Sequence, residues 1–297
     1  MSSVINVCFC FNDAYAEKVA VLISSILFNN KREFFHFYLL SSDLTPESIR
    51  KLEKISHAYK NYTLHSVWVD KNIFNDLKLN IPHITVETYF RYVIADLIPN
   101  VDKILYLDAD TVIAGNIAKL YNIDLGKNYL AGCKDKFVAK EAEYAQLFNP
   151  KGYINAGVLL INTKIFRENH LSQKLIKKTI DLQDKTKYLD QDILNAVCSN
   201  HILIMDSIYN FAIENIFTEK KNRKKAVVIH YTGPQKPWNH EVPMGKIWQE
   251  HQNILKKILK TKNKLLLKFY LIFKKMDFFL RSPKLKKSSL KTKNNHL

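Results

Sequence analysis

The sequence predicts an α/β fold: a mainly parallel sheet flanked by helices. Three observations carry that prediction. Short apolar runs suited to buried strands alternate with stretches of helical period. Two of the most apolar runs end in polar residues suited to binding, as strands do at the carboxyl edge of an open α/β sheet. The 297 residues, 47% of them hydrophobic, can fill the core of one large domain and leave an appendage.

The elements follow in order. Val4 to Phe11 is a first buried strand, Asn12 to Tyr15 a polar turn, and a helix runs to about Phe28. Phe35 to Leu40 is a second strand. Thr45-Pro46-Glu47 then opens a helix, with a threonine cap and proline at the first position. Tyr62 to Val69 is a third strand. Glu87 to Leu97 has a helical pattern and leads past Pro99 into the strand Lys103 to Thr111. Tyr153 to Asn162 is a buried strand with a polar start. Asp190-Gln191-Asp192 precedes a helical apolar pattern, and Asp190 is suited to cap that helix. Ala226 to Trp238 is a strand followed by a loop, AVVIHYTGPQKPW. There are no internal repeats. A domain boundary is predicted near residue 250, with 1–250 as the catalytic unit and 251–297 as a tail.

The chemistry concentrates at strand ends. In KILYLDADT, Asp108 and Asp110 are separated by Ala109 and can grip one hard cation, which would in turn neutralise a diphosphate. Alone, such a pair is more often a solvated turn after a strand. His230 offers an imidazole nitrogen, and imidazole beside carboxylates suits Mn²⁺, with Mg²⁺ as an alternative. Gly233 allows close backbone approach to a phosphate, and Lys236 supplies a point positive charge. Only seven glycines are present, with no G-x-G-x-x-G and no P-loop, which argues against dinucleotide binding and P-loop chemistry.

LYLDADT, YINAGVLLIN, YLDQDILN and HYTGPQKPW, in this order and spacing, resemble the retaining glycosyltransferases of family 8, above all bacterial lipopolysaccharide glycosyltransferases. The likeness spans about Val4 to Trp238. It implies a GT-A-type fold, a UDP-sugar donor, and a metal on Asp108, Asp110 and His230. It places uridine near Phe11, Asn12, Ala14 and Tyr15, although Asn12 and Ala14 depart from the residues common in relatives. The resemblance sets Arg91, Ala109, Gly233 and Lys236 near the nucleotide phosphates or sugar. Asp135, Asn155, Ala156, Asp190 and Gln191 complete the donor-sugar pocket, with Arg91 and Asp108 beside them. Gln191 takes the catalytic position, where an amide oxygen stabilises an oxocarbenium-like centre, and Asp190 orients a sugar. His83, Tyr188 and the Thr232 to Gln235 loop, Pro234 included, face the acceptor.

The remaining composition narrows the setting. Cys8, Cys10, Cys133 and Cys198 lack zinc spacing and suit a reducing compartment as small core residues. No signal-peptide pattern and no run long enough to span a bilayer is apparent, consistent with a cytoplasmic protein. The formal charge of +17 is uneven: residues 251–297 carry fourteen Lys and Arg against Asp277 alone. Ile254, Leu255, Ile258 and Leu259, then Phe269, Ile272, Phe273, Met276, Phe279 and Leu280, recur at helical spacing. A basic helix with aromatics on one face suits an anionic membrane surface. Packing on the catalytic domain and nucleic-acid contact are the alternatives, and no folded nucleic-acid reader is apparent. The expected activity is hexose transfer, galactose or glucose, from a UDP-sugar to a lipid-linked core saccharide at the cytoplasmic face of the inner membrane. A self-glucosylating enzyme of the same family and a non-catalytic sugar-nucleotide binder with a polyanion-binding tail are the alternatives.

Overall fold

The computed structural model describes residues 4–79, 81 and 84–281. His83, expected at the acceptor, and the polar segment after Pro283 lie outside the described residues.

The chain runs β1 (Val4–Cys10), α1 (Ala16–Asn29), β2 (Phe34–Ser41), α2 (Pro46–Glu53) and β3 (Tyr62–Trp68). Thr45 caps α2 by accepting from the Ser48 amide, with Pro46 at the first position, as predicted. The stretch expected as one helix from Glu87 to Leu97 is instead a tight 3-10 segment, Val86–Tyr92, followed by the single turn α3 (Ile94–Leu97). This tight winding carries Arg91 into the interior rather than along a solvated helix face. Then come β4 (Ile104–Leu107), β5 (Thr111–Ile113), α4 (Ala118–Tyr121), β6 (Leu130–Lys134), α5 (Ala142–Phe148) and β7 (Ile154–Ile161). The chain ends with α6 (Thr163–Glu168), α7 (Leu171–Leu182), α8 (Asp190–Cys198), β8 (Ile202–Met205), β9 (Phe211–Ala212), α9 (Ile213–Thr218), β10 (Val228–His230), α10 (Gly245–Lys260) and α11 (Lys264–Arg281).

Seven strands form one sheet in the order β3-β2-β1-β4-β7-β6-β8, and β5-β10-β9 form a second, smaller one. The large sheet is parallel except at β7, which runs antiparallel to both β4 and β6. Strand alternation alone predicts a parallel neighbour there. The reversal sets the start of β7 against the carboxyl end of β4, where the functional residues gather.

Period-two alternation sorts side chains to two cores. Along β1, Ile5, Val7 and Phe9 enter the core shared with α1 and α10, whereas Cys8 and Cys10 enter the core beneath the Arg91 segment, α7 and α8. All four cysteines are buried free thiols. α1 is buried almost all round, as a helix between a sheet and another helix must be.

Its outer cover corrects the expected boundary. Position 250 falls inside α10, whose Trp248, Ile254, Leu255 and Ile258 are buried in the main core. Residues 251–260 thus pack on the main core as the second part of α10, whose apolar face fits α1. In α11, Leu267 and Leu271 are buried while Leu265, Leu266, Phe269, Ile272, Phe273 and Met276 are exposed. No described helix is long and apolar enough to cross a membrane.

His251 sits in the α1–α10–α11 junction between the Phe28 and Phe278 rings, and neither ring nitrogen has a hydrogen-bond partner. Burial pushes its pKa down to about 3. The folded state therefore favours neutral imidazole, a contribution fully present above pH 6.5 and lost as pH falls towards 3. His251→Leu is expected to flatten the loss of stability between pH 6 and 4 in denaturant melts. An unchanged pH slope would contradict this placement.

Candidate active site

Strand register assembles the site. β4 ends at Leu107, and Asp108 begins a tight turn in which its carbonyl accepts from the Thr111 amide (3.1 Å) and hydroxyl (2.8 Å). β5 then pairs antiparallel with β10, setting His230 opposite Thr111, and the Tyr231 amide donates to the Asp110 carbonyl at 3.0 Å. On the other side, the Asp108 amide donates to the Gly157 carbonyl of β7 at 2.8 Å. Asp108, Asp110 and His230 thereby present ligand atoms within 4.8 Å of one another.

Gly157 makes this convergence possible. A Cβ there would lie 2.2 Å from His230 Cε1 and 2.7 Å from Asp108 Oδ2, inside any van der Waals contact. Gly233 has a different role: its φ of +79° needs glycine, while an added Cβ would meet open space.

His230 Nε2 is 3.2 Å from Asp110 Oδ1 and 3.8 Å from Asp108 Oδ2. Asp110 Oδ1 is buried without a hydrogen-bond partner. An orphaned carboxylate oxygen beside an imidazole nitrogen and a second carboxylate fits a divalent cation with mixed oxygen and nitrogen donors. Lys236 Nζ lies 2.5 Å from Asp110 Oδ2 and also donates to the Tyr231 carbonyl at 2.7 Å. Burial raises the Asp110 carboxyl, but the Lys236 ammonium beside it more than offsets this and holds it well below the ordinary carboxylate value.

Arg91 is the second charge centre. It lies between Asp108 (3.1 Å) and Asp190 (3.0 Å), donates to the Ala156 carbonyl at 2.7 Å, and stacks 4.6 Å from the Tyr106 ring centroid. Asp190 does not cap α8; the cap position is Leu189, in a strained positive-φ conformation (φ 48°). Inside the first turn, the Asp190 carboxylate instead accepts from Thr88 Oγ1 at 2.6 Å and faces Arg91. Burial lifts its pKa to about 6 against the pull of Arg91 and Thr88.

Gln191 lies between the two acids because each points elsewhere. Asp192 accepts from Tyr144 and Tyr153 hydroxyls and from the Lys187 and Tyr188 amides. Gln191 Oε1 accepts from the Ala156 amide at 3.0 Å, and its Nε2 donates to Asp135 Oδ2 at 3.1 Å.

The Asp108–Asp110–His230 cluster, Lys236, Arg91, Asp190 and Gln191 line one cleft of about 730 Å³, in the size range of small-molecule sites. Phe11, Asn12, Tyr15, Arg91, Asp108, Ala109, Asp110, Asp135, Asn155, Ala156, Tyr188, Asp190, Gln191, His230, Thr232, Gly233, Pro234 and Lys236 all face it. Ala14, expected at the base, is exposed on the turn after β1 and is not part of the lining. Asn12 Oδ1 is buried without a partner, whereas Asp13 Oδ1 is occupied by the Thr45 amide and hydroxyl. The sequence assigned no role to Asn210, Thr88 or Glu87, which also line the cleft. Asn210 sits in a short segment with no periodic signal, so only the fold reveals it.

A mainly parallel sheet flanked by helices, with an acidic, histidine-containing cluster gathered where β4 ends, has the architecture of a GT-A glycosyltransferase. The chain belongs to glycosyl transferase family 8, whose profile matches residues 6–241. It is 30% identical over 299 residues to a putative glycosyltransferase of Haemophilus influenzae, covering 96% of this chain and 88% of that one. It is also 30% identical to a lipopolysaccharide 1,2-glucosyltransferase of Escherichia coli, covering 79% and 73% of the two chains. Among solved structures it is similar to galactosyltransferase LgtC in complex with donor and acceptor sugar analogues. That match has a TM-score of 0.76 and 27% identity, and covers 84% of this chain and 95% of the other.

Gly157→Ala is expected to lower glycosyl transfer by about 100-fold, since ångström-scale displacement of catalytic groups costs that much. Gly115→Ala, where the added Cβ makes only an ordinary 3.4 Å contact, serves as the folded control. Comparable transfer rates in the two variants would contradict the packing of His230 against Gly157.

Proposed function

We propose that this enzyme transfers a hexose, glucose or galactose, from a UDP-sugar to a lipid-linked core saccharide with retention at the anomeric carbon. The observation that carries this reading is the Asp108–Asp110–His230 cluster lying in one cleft with Lys236, Arg91 and Gln191. A divalent cation on that cluster, Mn²⁺ by its mixed donor set with Mg²⁺ as an alternative, would act as Lewis acid towards the departing diphosphate.

The protein residues then have distinct tasks. Asn12 reads the uracil edge, since its unpartnered buried oxygen can accept an imide N–H while its amide donates. Phe11 and Tyr15 flank the base. Lys236 and Arg91 are fixed cations whose attraction to the leaving group grows as its charge develops. Arg91, Asp108, Asp135, Asn155, Ala156, Asp190 and Gln191 surround the donor sugar. Gln191 Oε1 is held by a backbone amide and stabilises positive charge at the anomeric carbon without needing to become a nucleophile. Leaving group and acceptor use the same face of the sugar, and Asp190 orients hydroxyls. Tyr188, Thr232 and Pro234 border the acceptor end of the cleft.

Purified enzyme given UDP-glucose or UDP-galactose should release UDP with one of them in Mn²⁺ and lose that turnover in chelator. Asp110→Asn should reduce it by 100-fold or more while the protein stays folded. Full activity of Asp110→Asn would overturn the metal assignment, and a stable sugar adduct on Asp190 or Gln191 by mass spectrometry would overturn the single-face route.

The exposed face of α11 supports peripheral attachment at the cytoplasmic side of the inner membrane. Phe269, Ile272, Phe273 and Met276 form an apolar stripe at i, i+3, i+4 and i+7, in a segment carrying Lys264, Lys268, Lys274 and Lys275. Cosedimentation with vesicles containing anionic lipid should fall at least tenfold in the double variant Phe269→Ser/Phe273→Ser, with UDP release in solution unchanged. Equal binding by wild type and variant would refute this face as the anchor.

A further inference from the structure

We propose that Asn155 and Asn210 are positioning residues. With Asp135 they form a hydrogen-bond relay that fixes the tautomer of His230, leaving Nε2 unprotonated towards Asp108 and Asp110. The proposal rests on the reading that His230 ligates a divalent cation, and it adds how that ligand is prepared.

The relay has a polarity set at its far end. Asp135 Oδ1 accepts from the Phe137 and Val138 amides at 2.9 and 3.0 Å. Its Oδ2 accepts from Asn155 Nδ2 at 3.0 Å and Gln191 Nε2 at 3.1 Å. Four N–H donors make this carboxylate an acceptor in every direction, so Asn155 must turn its NH₂ towards it. A second anchor agrees: Asn155 Oδ1 accepts from the Gly157 amide at 3.0 Å, and a backbone amide can only donate. Asn155 Oδ1 therefore faces Asn210, which must answer with its NH₂, at 2.9 Å. Asn210 is left with Oδ1 towards His230 Nδ1, at 3.0 Å. An amide oxygen only accepts, so Nδ1 carries a proton, and in the neutral imidazole Nε2 is left with the lone pair.

The alternative tautomer has a ready partner, which is why a relay is needed. Asp110 Oδ1, 3.2 Å from Nε2, is buried with no hydrogen-bond partner and would attract an Nε2 proton. That tautomer would block the nitrogen that the cation requires. Asn210 and His230 are both nearly inaccessible to solvent, so water does not readily substitute for the missing acceptor. Asp135 Oδ2 thus orients two amide arms at once. One ends at the imidazole of the cation site and the other at Gln191.

The test uses full-length, metal-free protein labelled with ¹⁵N-histidine, read by long-range ¹H–¹⁵N spectra. The His230 signals are identified by their loss in His230→Gln. Wild type is expected to show a proton on Nδ1. Asn210→Leu is expected to shift His230 towards the Nε2–H form. Asn210→Asp keeps an acceptor for Nδ1, though it cannot donate to Asn155 Oδ1, and is expected to retain the Nδ1 proton. Mn²⁺ titrated into the UDP-saturated proteins should bind 10- to 100-fold more weakly to Asn210→Leu than to wild type, the usual effect of losing an outer partner of a ligating histidine. An Nε2–H tautomer in wild type would overturn the proposal without any variant having to fold. So would an Asn210→Leu protein that retains both tautomer and affinity. Wild type with the Nδ1–H tautomer and no Mn²⁺ binding would support the relay and refute the metal reading.

Discussion

Everything at this site depends on the pairing of β10 with β5, which sets His230 opposite Thr111 at the exit of the Asp-x-Asp turn. Two aspartates one residue apart in sequence are local. An imidazole more than a hundred positions later joins them only because this register is fixed by burial on both sides of the small sheet. The reversal of β7 completes the frame by bringing Gly157 against Asp108, where the missing Cβ leaves room for the Asp108 and His230 side chains. The backbone is thus spent on convergence, and the side chains supply charge.

The charges are then balanced in pairs that a substrate can exchange. Arg91 is buried between Asp108 and Asp190, and Lys236 is bound to Asp110. Burying these cations costs desolvation that only close partners offset. For the proposed transfer, the gain is electrostatic preorganisation, since groups already held in place need no reorganisation when charge develops on a leaving group. Asp190 marks the cost. Its carboxyl is lifted to about 6 by burial, and its neighbouring residue Leu189 holds a strained backbone. Such concentrated strain and shifted acidity are expected where function overrides stability.

The sequence made much of this legible, for identifiable reasons. Apolar runs ending in Asp108, Asp110 and His230 are local patterns, so strand positions and the family likeness followed directly. The Thr45-Pro46 cap was equally local and was borne out. What failed depended on distant partners. Asp190 has the composition of a helix cap, but Arg91 and Thr88 claim its carboxylate. The pattern of residues 87–97 suggested one helix, yet burial of Arg91 against β4 and β7 tightened it into a 3-10 segment. The packing of α10 was not legible, because periodicity shows that it has an apolar face and cannot show that α1 covers it. Asn210 carried no signal at all, since a single amide matters only through what lies on either side of it.

The claim on which the account turns is that Asp108, Asp110 and His230 hold one divalent cation beside the nucleotide. Crystals soaked with Mn²⁺ and UDP, measured at the manganese absorption edge, test it most directly. The account predicts one anomalous peak within bonding distance of Asp108 and Asp110 oxygens and His230 Nε2, in contact with the diphosphate. Bound UDP with no such peak, or a peak away from His230, would contradict it.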